Sequence, residues 1–137
     1  TAPAYGPVVS MARQRLGRRG EELVARGLSA RGWRLLARNA RVPGVLGELD
    51  IVAVDPAGEL VFVEVKTIRA GAVAGPRSPL EQVGARKQAQ LRRLAGAWTD
   101  CNRAELPACR GIRIDVVGLA LDDTGAIVSR EYVRAAC

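Results

Sequence analysis

The chain has 137 residues, 48% hydrophobic and 26% charged, the makeup of one globular domain with room for a real core. It contains no histidine, which excludes His-based acid–base chemistry, Ser-His-Asp and Cys-His nucleophile pairs, and imidazole metal sites. A formal charge of +7 and a pI near 10.3 point to a polyanionic partner such as nucleic acid, or to an arginine-rich chain with its charge spread evenly.

The N-terminal stretch TAPAYGPVVSM lacks the basic start and long apolar core of a secretory signal. Residues 1–11 are expected to be a disordered or appended lead, with Met11 as the natural start, and residues 12–137 a single domain. Residues 12–31 have helical spacing: Leu16, Leu23, Val24 and Leu28 form one stripe, with Gly20 and Gly27 on the same side. Glu21 lies at the edge of that stripe, able to look toward the core or its rim, whereas Glu22 points to solvent. Gly32 ends the helix.

Residues 33–38 read as a strand and 41–47, punctuated by Pro43, Gly44 and Gly47, as a loop. Residues 48–54 (ELDIVAV) and 60–66 (LVFVEVK) are two strands joined by Asp55-Pro56-Ala57-Gly58, a hairpin. Residues 67–79 read as an exposed loop, and 80–99 as a second helix with Val83, Leu91, Leu94, Ala95 and Trp98 on its apolar face. Residues 112–121 and 126–134 are strands, the last one at an edge. Helix, three strands, helix, two strands make an α/β domain with a mixed central β-sheet flanked by helices. No run approaches the roughly 18 apolar residues of a membrane span. The three cysteines, Cys101, Cys109 and Cys137, lack C-x-x-C spacing, so free thiols in a cytoplasmic protein are expected, with a Cys101–Cys109 bridge as the alternative.

Two charges inside the apolar strand 60–66 need a reason. Side chains alternate along a strand, so Glu64, Lys66 and Phe62 share a face, as do Asp50, Glu48 and Val52 on the neighbouring strand. A register in which paired numbers sum to 114 closes around Pro56-Ala57-Gly58 and sets Asp50 opposite Glu64, and Glu48 opposite Lys66. Carboxylates about 5 Å apart at Cβ repel unless a proton or cation lies between them. Mg²⁺ or Mn²⁺, which prefer oxygen ligands, would satisfy the pair, with Lys66 beside the metal and Glu21 able to add a ligand. The alternative is a set of ordinary ion pairs, Glu64–Lys66 and Glu48–Lys66, on a solvent-facing side. Of the 21 Lys and Arg residues only Lys66 and Lys87 are lysine, which hints that a compact ammonium is needed at those two places.

Asp, a gap, then Glu-x-Lys on an adjacent strand resembles the PD-(D/E)xK nuclease superfamily. The order Gly20-Glu21, Asn39, Gly47-Glu48-Leu49-Asp50-Ile51, Phe62-Val63-Glu64-Val65-Lys66-Thr67, Lys87 and Arg113-Ile114-Asp115-Val116-Val117 resembles the YraN family, over residues 16–121. That family is endonuclease-like in fold and similar to Holliday-junction resolvases. The resemblance implies a restriction-endonuclease-like core, a metal site at Asp50 and Glu64, Lys66 as catalytic lysine and Glu21 as an accessory acid. It implies nucleic acid, DNA above all, as partner, with Lys87, Gln88 and Arg86 on the second helix meeting phosphate, or else forming a solvated helix face. A homodimer is implied only by analogy to the resolvases. Asp115 is expected to be structural, pairing with an Arg in the sheet. Two departures stand out: Leu49 replaces the proline usual before the metal-binding Asp, and the segment between Asn39 and Gly47 is slightly long. The competing expectations are a binding or adaptor protein on a nuclease fold and a structural domain that binds no DNA. Aromatic content of 4% argues against recognition of single strands by base stacking.

Overall fold

A computed structural model describes residues 6–71 and 83–137, with side chains from residue 11 onward. Helix α1 (Gly6–Ala30) is followed by strands β1 (Arg34–Val42), β2 (Val45–Val54) and β3 (Leu60–Arg69), helix α2 (Ala85–Asn102), and strands β4 (Ile112–Leu121) and β5 (Ile127–Val133). The five strands form one sheet in the order β1-β2-β3-β4-β5, antiparallel except for the parallel β3–β4 pair spanned by α2. This mixed sheet between two helices is the expected α/β arrangement, consistent with a restriction-endonuclease-like core.

One helix covers each face. Val24, Ala25 and Leu28 of α1 pack on Ile51, Ala53, Val61, Val63, Val65 and Val117. Leu91, Leu94, Ala95 and Trp98 of α2 pack on Leu49, Val52, Leu60, Phe62 and Ile114, with Phe62 edge-on to Trp98 at 5.7 Å between ring centroids. β3 is buried on both faces, which explains its nearly continuous apolar run. Gly20 lets α1 lie flush on the sheet, because a Cβ there would collide with the buried Thr67 hydroxyl.

Helix α1 begins at Gly6, so residues 6–11 are helical; residues 1–5 lie outside the described residues. It ends as expected at Gly32 (φ 88°), where Trp33 N–H donates to Leu28 O and Gly32 N–H to Ser29 O, the paired bonds of a Schellman stop. The expected loop at 41–47 is instead a tight hairpin. Val42 pairs with Val45, and Pro43-Gly44 makes the turn, with Gly44 at φ 81°, the Pro-then-Gly arrangement of a type II turn. Turn residues were legible there, but not how few of them the connection uses. β3 likewise runs on to Arg69, carried by its parallel pairing with β4; the rest of the expected loop, residues 72–79, and the expected start of the second helix, residues 80–82, lie outside the described residues.

Candidate metal and nucleic-acid site

The hairpin register is the expected one: Ile51 pairs with Val63 and Val52 with Phe62, so paired numbers sum to 114. The ladder stops there. One step further, where Asp50 meets Glu64, the strands part, and the Asp50 carboxylate takes the Val65 N–H at 2.8 Å in place of a backbone carbonyl. Asp50 therefore sits in the fork between β2 and β3.

A local twist aims it there. In β1 and β2, Arg38 pairs with Ile51 and Ala40 with Leu49. Residues two apart in a regular strand share a face. Here Ile51 packs in the α1 layer and Arg38 bonds Glu22 of α1, whereas Ala40 and Leu49 pack in the α2 layer. The reversal falls at the residues between, Asn39 and Asp50. Asn39 has φ of 49°, the left-handed region that asparagine tolerates better than most residues. This corrects two expectations. Asp50 does not share a face with both Glu48 and Val52, since Glu48 lines a cleft on the α1 side and Val52 faces α2. Glu48 does not pair with Lys66; it bonds Arg41 at 2.9 Å.

The fork gathers acids from both layers. The Asp50 carboxyl is in hydrogen-bonding contact with Glu64 and with Glu21 of α1. Asn39, with its amide nitrogen turned to the carboxylate, donates to both Glu21 oxygens at 3.1 and 3.3 Å. Burial, the hydrogen bond with Glu64 and the Glu64 charge push the Asp50 carboxyl up to about 9, against the pull of the Val65 N–H. Burial also raises Glu21, aided by Glu48 and Glu64 and opposed by its bond to Asp50 and by Arg38. Glu22 is turned outward as expected, bonded to Arg26 and Arg38 at 2.9 Å.

Glu64 is 3% exposed, and its cation is Lys87 of α2, whose Nζ lies 3.1 Å from Oε2. That contact is close but not aligned as a hydrogen bond, so Oε2 has a neighbouring charge and no donor. Lys87 thus stands at the carboxylates rather than on the outer face of α2. Gln88 donates its side-chain amide to Val83 O at 3.2 Å, and Arg86 is exposed. Lys66, two residues beyond Glu64, is half-buried and makes no hydrogen bond or ion pair among the described residues.

A hard cation fits the donors present: two oxygen-bearing side chains in contact, one with an undonated buried oxygen. Among the described residues no three Asp, Glu or Cys side chains surround one point closely enough to hold an ion between them. A cation here would take Asp50 and Glu64 and complete its shell with water, the usual habit of Mg²⁺.

Beside the fork, α1 and the β1–β2 hairpin enclose an open cleft of about 440 Å³ lined by Gln14, Gly17, Arg18, Glu21, Asn39, Arg41 and Glu48. Except for Glu21, sequence reasoning gave these residues no place in the site. Of them, Asn39 and Glu48 carried a signal, as members of the motif order that resembles the YraN family.

Residues 20–119 match the profile of the uncharacterised protein family UPF0102. The chain belongs to the UPF0102 family. A UPF0102 protein of Clavibacter michiganensis is 48% identical over 125 residues, covering 90% of this chain and 97% of its own length. One from an Arthrobacter species (strain FB24) is 45% identical over 123 residues, 90% and 96% of the two chains. One from Moorella thermoacetica is 39% identical over 128 residues, 93% and 99%. This is the YraN family that the motif order resembles. The UPF0102 match spans Glu21, Asn39, Asp50, Glu64, Lys66 and Lys87, and so the fork and most of the cleft wall. No solved structure matches the chain significantly. No helix among the described residues is long and apolar enough to cross a membrane.

Proposed function

We infer that this protein is a metal-dependent nuclease that hydrolyses phosphodiester bonds of DNA, at branched or flapped structures. The observation that carries the reading is the Asp50–Glu64 carboxyl pair: two acids in contact in a partly dry fork, one with an oxygen that accepts nothing. Mg²⁺ or Mn²⁺ held by Asp50 and Glu64 would supply Lewis-acid charge at a phosphate and lower the pKa of a bound water.

The chain's own residues have distinct parts. The Val65 N–H fixes one oxygen of Asp50, and Asn39 fixes Glu21 behind it. Glu21 is placed to take a proton from, or orient, a water beside the carboxyl pair, and burial raises its pKa, which makes it a better base than an exposed carboxylate. Lys66 is the ammonium that orients the attacking water or meets charge developing on the phosphate. Lys87 holds Glu64, and Arg86 and Gln88, its neighbours on α2, would meet phosphate.

The test is cleavage of labelled linear, nicked, flap and four-way-junction DNA with Mg²⁺ or Mn²⁺. Asp50→Ala and Lys66→Ala should each lower the rate by about 100-fold or more. Activity that survives both changes rules out this site.

A second reading, a non-catalytic nucleic-acid-binding or adaptor protein on a nuclease fold, draws on one observation. The Lys87 ammonium beside Glu64 already supplies a charge that a metal would otherwise bring. Salt-sensitive DNA binding with no cleavage on any of the four substrates would favour it.

A further inference from the structure

The cleft beside the fork has a composition that the carboxyl pair does not explain. Its rim carries two guanidinium groups, Arg18 from α1 and Arg41 from β1, and its inner end is the acidic set Glu21 and Glu48 with the Asn39 amide. Arg18 is exposed and makes no hydrogen bond or ion pair among the described residues. Arg41 bonds Glu48 but is 76% exposed, leaving most of its N–H groups turned outward. Between them the helix wall is bare. Gly17 lines the cleft, and a Cβ built on it would meet nothing within 4 Å. Gly20, one turn on, is required by Thr67; Gly17 has no such neighbour, although glycine is a poor helix former. A helical glycine without a packing partner, on the wall of a cleft, leaves room for a ligand backbone.

About 440 Å³ is the room of a small ligand and cannot admit a duplex. Among the described residues no aromatic side chain lines the cleft, so it holds a strand by its phosphates and not by stacked bases.

We propose that this cleft is the track for one unpaired strand of nucleic acid, its phosphates seated on Arg18 and Arg41 and its backbone passing over Gly17 toward the fork. This rests on the nucleic-acid reading above and adds to it a polarity: the unpaired arm of a branched substrate lies between α1 and the β1–β2 hairpin.

The test is fluorescence anisotropy of the full chain with a labelled oligothymidylate and with a blunt duplex, in EDTA so that nothing is cut, over a series of salt concentrations. Gly17→Leu, which fills the cleft without removing an acid, should weaken single-strand binding at least tenfold and duplex binding much less. Gly17→Ala should bind nearly as the parent does, and both variants should melt no lower than it. Arg18→Ala should lower the slope of log affinity against log salt for the single strand by about 0.7, one phosphate contact. Arg103→Ala, removing an equal charge beyond the end of α2, should leave that slope unchanged. Single-strand binding untouched by Gly17→Leu, or an Arg103→Ala effect equal to that of Arg18→Ala, overturns the track and leaves the nuclease reading standing. No binding of either nucleic acid by the parent chain overturns both.

Discussion

The β2–β3 hairpin carries a group of carboxylates at each end, and the two groups are treated in opposite ways. At the turn, Asp55, Glu59 and Asp115 converge on one guanidinium: Arg113 reaches Asp55 at 2.6 Å, Glu59 at 2.8 Å and Asp115 at 3.1 Å, and lies over the Trp33 ring. Remaining oxygen positions are filled as well. Asp55 accepts the N–H groups of Ala57 and Glu59, and Asp115 accepts Ala135 N–H and the Tyr132 hydroxyl. At the fork, Asp50, Glu21 and Glu64 press on one another, with Lys87 the nearby ammonium and an oxygen of Glu64 undonated. Similar residues in one sheet are structural where donors outnumber charges and chemically poised where charges outnumber donors. Asp115, expected to be structural through an arginine, is so through Arg113.

The sharpest way to break the contrast is to remove the shared cation at the turn. Arg113→Met should cost roughly 3–5 kcal/mol, because it strands buried carboxylates, and urea melts measure it. A loss under about 1 kcal/mol would show that those acids are solvated after all.

The second effect is in the sign of the pH dependence. The Asp50 pKa is raised in the fold to about 9, against about 3.9 unfolded, so the folded chain keeps a proton that the unfolded chain has released between those values. Its contribution is complete below about pH 4 and is lost as pH rises through about 9. For Asp55, burial pushes the carboxyl up, but the Glu59 N–H, Arg113 and the Ala57 N–H outweigh it and hold it low. Its contribution is complete above about pH 4 and is lost as pH falls into the acid range. Metal-free thermal melts should therefore decline on the alkaline side in a way that Asp50→Asn flattens, and on the acid side in a way that Asp55→Asn flattens. If both changes flatten the same limb, the two ends do not differ as described.

A smaller effect sharpens the comparison further. Asp50→Asn at pH 8 without metal should raise stability by about 1 kcal/mol, since it removes the proton uptake that folding demands of Asp50 at that pH and keeps an acceptor for the Val65 N–H. Glu64→Gln should gain less, because it also takes away the partner of Lys87. Chemical denaturation of the two variants gives the order, and a loss with Asp50→Asn would mean that the fork is not strained.

Much of this was legible before the fold. The alternation of Leu60–Lys66 and Glu48–Val54, with turn residues between them, is enough to set the register that brings Asp50 to Glu64. The stripe on α1 is enough to place Glu21 at its edge. Three features were not legible, each for a physical reason. Period-two alternation predicts a face only while the ladder is regular, and the left-handed Asn39 opposite Asp50 resets it. Pro43 and Gly44 announce a turn without announcing that two residues suffice for it. Lys87 lies 23 positions from Glu64 in sequence, and only the return of α2 over the sheet brings its ammonium there.

The sequence by itself determined the α/β class, the hairpin register and the meeting of Asp50 with Glu64, because strand periodicity and turn chemistry act between near neighbours. The tertiary structure alone decided which cation faces Glu64, which way Asp50 turns, and that Gly17, Arg18 and Arg41 wall one cleft. Those are contacts between elements far apart in the chain, and no spacing along it encodes the angle at which a helix settles on a twisted sheet.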